Sequence, residues 1–206
     1  MSTATKVDLK RELAMLYRPH AGGPRFVDVP ELSFLMVDGE GDPESATSFM
    51  DAVGALYSTA YTLKCGLRKL GLDFTVMPLE ALWWVDGADP FAFDRRGNWR
   101  WTAMIAVPDE VTPVEVEEAR VTVAEKRDIP SLPRLRFERF HEGLSVQVTH
   151  VGPYGAEAPT IEQVHAFIRE QGCAPRGQHH EIYLSDPKRT PPERLKTIIR
   201  QPVQGA

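Results

Sequence analysis

Apolar positions along the chain fall into runs of two kinds, and the same order of runs occurs twice. The first set opens with Phe34-Leu35-Met36-Val37 and turns at Asp38-Gly39-Glu40-Gly41-Asp42-Pro43. It continues into a segment where Phe49, Val53, Leu56, Ala60, Leu63 and Leu67 recur at helical spacing. That spacing predicts a helix from just after Asp42-Pro43 to Leu70, stopped by Gly71, with Gly54 as a point where it softens or divides. A strand follows at Pro78-Leu79-Glu80-Ala81-Leu82-Trp83-Trp84. The second set opens with Leu144-Ser145-Val146-Gln147-Val148 and turns at Val151-Gly152-Pro153-Tyr154-Gly155. Its shorter helix has an apolar face of Ile161, Val164, Phe167 and Ile168, ends at Gly172, and leads to a strand at His180-Glu181-Ile182-Tyr183-Leu184.

Other segments fill in around these units. A short helical pattern at Lys10 to Tyr17, halted by Pro19 and Gly22-Gly23-Pro24, reads as an extension. Phe26-Val27-Asp28-Val29-Pro30 precedes the first unit. Asp86 to Trp99 reads as a loop, and Trp99 to Val107 alternates as a strand with Trp99, Trp101, Ala103 and Ile105 on one face. Thr112-Pro113-Val114-Glu115 has the form of a capping box for a charged helix running to about Arg127. Strands at Leu135 to Phe140 and Leu144 to Val148 are expected to turn through His141-Glu142-Gly143. After Asp186-Pro187, a helical turn beginning near Pro191-Pro192-Glu193 should carry Leu195, Ile198 and Ile199. The architecture expected is α+β: duplicated strand-helix-strand units forming two antiparallel sheet halves, with packed helices around a central cleft. Residues 1–25 form an extension, and 26–206 one domain of two pseudo-repeats, about 26–128 and 134–206.

Two carboxylates stand out because each interrupts an apolar, aromatic strand. Alternation puts Glu80 on a face with Leu82 and Trp84, and Glu181 on a face with His179 and Tyr183. Acidic groups facing aromatics across a pseudo-two-fold cleft suit a cationic or electrophilic lipophilic molecule. The competing reading is an edge strand whose Glu meets water. Tyr57 and Tyr61, one helical turn apart, either point into the cleft or belong to the apolar stripe of their helix. Trp84 and Trp101 are read either as cleft walls or as core, and Tyr154 either as a cleft residue or as cover for its turn.

Composition removes several classes of function. With 206 residues, 42% hydrophobic, the chain can build a real core, and its net charge of −5 opposes a nucleic-acid surface. The sequence has no run of membrane-spanning length, and Met1 to Arg11 lacks the apolar core of a signal peptide. Cys65 and Cys173 are far apart, which fits a reducing cytoplasm and suggests neither disulfide nor zinc. His179 and His180 point to opposite faces of a strand, so no metal is expected, and no cofactor. Asp38, Glu40 and Asp42 would repel phosphate from the Gly39 and Gly41 turn. A homodimer and a protein partner are left open.

The two units, the Pro78 to Trp84 and Trp99-Arg100-Trp101 segments, and the closing His179-His180-Glu181-Ile182-Tyr183-Leu184-Ser185-Asp186-Pro187 resemble the GyrI-like family over nearly the whole chain after residue 25. Members of that family also serve as effector-binding domains of multidrug-sensing transcription regulators, where a buried acid in an aromatic pocket meets lipophilic cations. Glu181 matches that acid. No helix-turn-helix pattern precedes the domain here, so it reads as free-standing. A stand-alone branch with similar Trp-rich segments resembles hydrolases that open the cyclopropane ring of DNA-alkylating antibiotics of the yatakemycin and duocarmycin type. The resemblance implies a lipophilic aromatic ligand and leaves three readings: a detoxifying hydrolase, a non-catalytic binding or sensing module, and a gyrase-interacting inhibitor.

For hydrolysis, Glu181 is the expected general base, its pKa raised by burial, with Tyr154 or Tyr183 as oxyanion donors. Trp84 and Trp101 would sandwich the ring system, and Glu80, Tyr57, Tyr61 and His179 would complete the binding site.

Overall fold

The computed structural model describes residues 5–43, 47–87 and 96–205. The chain opens with β1 (Thr5–Val7), α1 (Leu9–Glu12) and α2 (Ala14–Tyr17). The first unit is β2 (Arg25–Glu40), α3 (Thr47–Lys69), a short β3 (Leu72–Phe74), β4 (Leu79–Trp84) and β5 (Arg100–Val107). After α4 (Pro113–Ala124), the second unit repeats the order with β6 (Arg136–Val151), α5 (Ala158–Glu170), a short β7 (Cys173–Pro175), β8 (His179–Tyr183) and β9 (Lys196–Gly205). Strands run β6-β2-β5-β4-β8-β9, and β9 pairs back onto β6, so an antiparallel sheet closes into a barrel and leaves no edge among those strands. The fold is α+β with a duplicated unit, as expected. The two units meet in one continuous sheet, through β2 against β6 and β4 against β8, rather than as two separate halves.

The two helices cover the barrel from outside. Buried Phe49, Ala52, Leu56, Ala60, Leu63 and Leu67 of α3 face the first unit, and Phe49 packs on Trp83 and Trp101 with ring centroids 5.4 and 5.0 Å away. Ile161, Val164 and Ile168 of α5 join Val146, Val148, Ile199 and Val203 in a second cluster. Gly54 does not divide α3, which is continuous. Thr112 caps α4 as the sequence indicates: its hydroxyl accepts from the Glu115 amide while Glu115 Oε2 accepts from the Thr112 amide at 2.8 Å. The start of α3 at 44–46 and most of the expected loop from Asp86 to Trp99 lie outside the described residues.

Two expectations are corrected. His141-Glu142-Gly143 is not a hairpin turn, because β6 runs through it as one strand paired with β2. Leu195, Ile198 and Ile199 do not ride on a helix. Leu195 closes a single 3-10 turn at Pro192–Arg194, and Ile198 and Ile199 lie in β9, where a β-branched run is buried on both faces and loses any visible period. The N-terminal extension is keyed into the barrel: Tyr17 is 0% exposed, and the backbone carbonyls of Met15 and Leu16 accept from Gln147 Nε2 at 2.9 Å and Arg200 Nη2 at 3.0 Å.

Those two side chains belong to a buried ionic chain inside the barrel. His180 stands between two carboxylates, with Nδ1 3.0 Å from Glu142 and Nε2 3.1 Å from Glu80. Arg200 Nη1 donates to Glu142 and its Nε to Gln147, both at 3.0 Å, and Tyr17 donates to Glu80 at 2.9 Å. Both imidazole nitrogens face carboxyl groups, an arrangement that favours the imidazolium. Two anions and two cations then cancel, the condition under which buried charge is tolerated. Burial would lower the His180 pKa, but Glu142 and then Glu80 hold it up at about 9. Burial would raise Glu142, but His180 and Arg200 hold it down at about 2. Gly143 sits in β6 at φ +69°, and the Glu142 before it reaches Arg200 together with Gln147.

Gly39 lies opposite Trp101 in the β2–β5 ladder. A β-carbon there would fall inside the indole ring.

Gly39→Ala should therefore destabilise the fold by about 1–3 kcal/mol in urea denaturation, because the buried ring must shift. The ionic chain predicts the pH profile. Glu142, held low, contributes stability that is present above its ordinary 4.5 and lost as pH falls toward about 2. His180, held high, contributes stability that is present below its ordinary 6.5 and lost as pH rises through about 9. Glu142→Gln should cost about 3–5 kcal/mol near pH 6 and move the alkaline loss to lower pH. An unchanged profile in that variant would remove His180 as its cause.

Candidate functional site

The register of β8 sorts its side chains between the two surfaces of the barrel. Glu80 pairs opposite Ile182 and Ala81 opposite Glu181, so Glu80 shares the inner surface with His180, while Glu181 faces outward with His179 and Tyr183. The expectation that both carboxylates serve one cleft is therefore corrected. Across the β4–β8 ladder Glu181 meets Ala81, one residue away from Glu80. Glu80 is 0% exposed and belongs to the ionic chain.

Glu181 is held by its own strand. Its Oε2 accepts from the Tyr183 hydroxyl at 2.7 Å, and its Oε1 lies 3.2 Å from His179 Nε2. The Tyr183 hydroxyl in turn accepts from Trp83 Nε1 at 3.2 Å, a contact that the antiparallel β4–β8 pairing makes reachable. The turn before α5 brings the rest. The ring of Tyr154 meets that of Tyr183 edge-on, centroids 5.5 Å apart, and Glu157 at the start of α5 is 3% exposed beside Glu181 and Thr197. Tyr57 of α3 lies near this group and accepts from the Leu79 amide at 3.2 Å.

Two buried carboxyls within reach of one another cannot both ionise cheaply. Burial, then the Glu181 charge, pushes Glu157 up to about 9. Burial also acts to raise Glu181, but His179, Tyr183 and Glu157 outweigh it and hold its pKa below the ordinary carboxylate value. The expectation of a raised pKa at Glu181 is thus corrected, since the raised group is its neighbour. Tyr183 is driven well above its usual value by burial and then by Glu181, and Tyr154 reaches about 12 through burial, Glu157 and Glu181. Near neutral pH the site presents a carboxylate, a carboxylic acid and two neutral phenols.

Of the residues singled out from sequence, Glu181, Tyr183, Tyr154 and His179 come together, with Tyr57 at the margin. Trp101 does not line a cleft: it is 0% exposed beneath Phe49 and Gly39. Trp84 is half-buried at the end of β4, opposite Arg100 and on the surface of the sheet away from Glu181. Tyr61, 54% exposed, stacks on Tyr57 and borders a groove between α3 and α4 lined also by Cys65, Val123 and Arg127. Sequence reasoning missed Glu157, since an acid opening a helix is ordinary and carries no signal of its own. It singled out Trp84 and not Trp83, and only the β4–β8 register shows that Trp83 is the one that reaches Tyr183. Among the described residues no group of His, Cys, Asp and Glu could hold a metal ion, and no helix is long and apolar enough to cross a membrane.

The chain belongs to the GyrI-like small molecule binding domain family, whose model matches residues 23–204. Among curated proteins none matches it. It is similar to the solved structure of an uncharacterized conserved protein from Listeria innocua, at 40% identity and TM-score 0.86, covering 96% of this chain and 100% of that one. It is also similar to a hydrolase from Listeria innocua at 38% identity and TM-score 0.82, again over 96% and 100%. The EcmrR C-terminal domain, 14% identical over 91% of this chain and 100% of its own with TM-score 0.61, shares the fold.

Tyr183→Phe removes a donor that favours ionised Glu181, so the Glu181 titration should move to higher pH. Carboxylate chemical shifts in a protein labelled at glutamate would follow it. A midpoint that stays in place would mean the hydroxyl does not set the charge of the site.

Proposed function

We propose that this protein binds planar, lipophilic aromatic molecules against Glu181 and hydrolyses an electrophilic one. The test substrate is a cyclopropane fused to a dienone, of the duocarmycin and yatakemycin type. One observation carries the reading: Glu181 is a buried carboxylate whose base form is stabilised by a phenol, with a protonated carboxyl beside it and aromatic rings around it. The likeness to a Listeria innocua hydrolase at 38% identity supports hydrolysis over simple binding.

The chemistry assigns roles by geometry. Water adds at the strained carbon as Glu181 takes its proton, the cyclopropane C–C bond breaks, and the electron pair moves through the ring to the carbonyl oxygen. That oxygen then takes a proton and becomes a phenol, so the net change is the addition of one water. Tyr183 is committed to Glu181, which leaves Tyr154, 37% exposed at the mouth of the site, as the phenol that donates to the developing oxyanion. Rings of Tyr57, Tyr154 and Tyr183 take the place of the expected Trp84 and Trp101 sandwich as walls for the ligand.

Incubation with such a compound should add the mass of one water to it. Glu181→Gln should lower turnover by about 10²–10⁴-fold, while binding of a neutral aromatic falls by less than about tenfold, because apolar burial supplies most of that affinity. Equal turnover in the variant would overturn Glu181 as base. Binding without any gain of water would make the protein a ligand-binding module.

A further inference from the structure

Glu157 is a second buried acid that the hydrolytic scheme does not consume. It is 3% exposed, its Oε1 is buried with no hydrogen-bond partner, and its carboxyl lies within hydrogen-bonding reach of Glu181. A buried, unpartnered carboxyl oxygen on a group beside another acid is costly unless something comes to meet it. Burial and the Glu181 charge push its pKa up to about 9, which suits a proton in that place.

Resting on the reading of Glu181 as the ligand anchor, we infer that Glu157 carries an exchangeable proton and that a lipophilic cation seated at Glu181 displaces it. Uptake of a cation is then a one-for-one exchange. With the proton in place the two carboxyls carry a charge of −1, and with a monovalent cation and no proton they again sum to −1. The buried site avoids both the bare dianion and the over-neutralised state. A neutral ligand leaves the proton where it is. Glu157 therefore determines how the site discriminates between charged and uncharged aromatics of the same shape.

The sign of the pH dependence follows. Glu157 without ligand titrates at about 9, and a cation nearby lowers that value. Between the lowered value and about 9, binding releases a proton, so affinity rises with pH by at most about tenfold per unit and levels off above. Other titratable groups face the pair. They are His179 and Tyr183 on β8, Tyr154 before α5, Tyr57 on α3, Asp186 after β8, and His150 on β6, which pairs opposite Thr197. The phenols are raised above the window. His179, on the face of β8 that carries Glu181, is the competing group that the variant controls for.

The experiment uses 10-methylacridinium, a permanent cation with no titrating group, and phenazine, its neutral analogue in shape, in fluorescence titrations from pH 6 to 9.5. Wild-type protein should bind the cation more tightly as pH rises and phenazine without such a rise. Glu157→Gln should hold cation affinity flat. Calorimetry in buffers of different ionisation enthalpy should count about one proton released per cation by wild-type protein near pH 8, and this count decides the matter alone should the variant fail to fold. A flat wild-type profile overturns the inference, and so does a slope that survives in Glu157→Gln, which would assign it to histidine. Phenazine binding and water addition with no cation binding would overturn the exchange while leaving the proposed hydrolysis standing. Loss of water addition with the proton exchange intact would do the reverse.

Discussion

The imidazolium of His180, clamped between Glu80 and Glu142 inside the barrel, is the interaction from which the rest of the structure takes its register. It joins β4, β6 and β8 at one point, and Arg200 extends it to β9 and to the carbonyl of Leu16. A charge this deeply buried has one acceptable position, because a slip of one residue would carry it out of reach of both carboxylates and leave them uncompensated. Hydrophobic packing alone is more forgiving, since Ile182 and Ile198 could be exchanged for neighbours of similar volume at modest cost. The ionic chain thus supplies specificity of strand pairing.

That constraint is what places the site. With His180 pointing into the barrel, period two requires His179, Glu181 and Tyr183 to point out. One short strand therefore carries the buried ionic chain on one surface and the Glu181 cluster on the other, built from residues adjacent in sequence. The inner carboxylates are balanced by cations. The outer pair is met differently: His179 and the Tyr183 hydroxyl are drawn onto Glu181, while burial and the Glu181 charge raise the pKa of Glu157. Acids of similar burial end in different states because their partners differ.

The tryptophans serve this arrangement from below. Trp83 and Trp101 pack on Phe49, with Trp99 against Trp83, and fill the space between α3 and the barrel, so that Trp83 reaches Tyr183 from a rigid base. Tyr183 is in this way fixed at both ends, by a donor behind it and an acceptor in front. Tyr154, on a turn and half open to solvent, is the more adaptable of the two phenols. A rigid base with an adaptable cover is a sound arrangement for ligands of varied outline.

Local chemistry alone determined a good part of this protein. The helical spacing along α3 and α5, the Thr112 capping box, the repeated order of elements and the prominence of Glu181 could all be read from residues within a few positions of one another, because helix period and capping are short-range effects. Strand boundaries in β6 and β9 could not, since strands buried on both faces show no alternation and His141-Glu142-Gly143 reads locally as a turn. The pairing of Glu80 with Glu181 failed for a related reason. Both sit in similar local sequence, but which surface each faces depends on a ladder between residues about a hundred positions apart. Glu157, Trp83 and the partners of His180 became visible only once that ladder was closed, because a carboxyl acquires its charge state from neighbours that the chain brings to it through space.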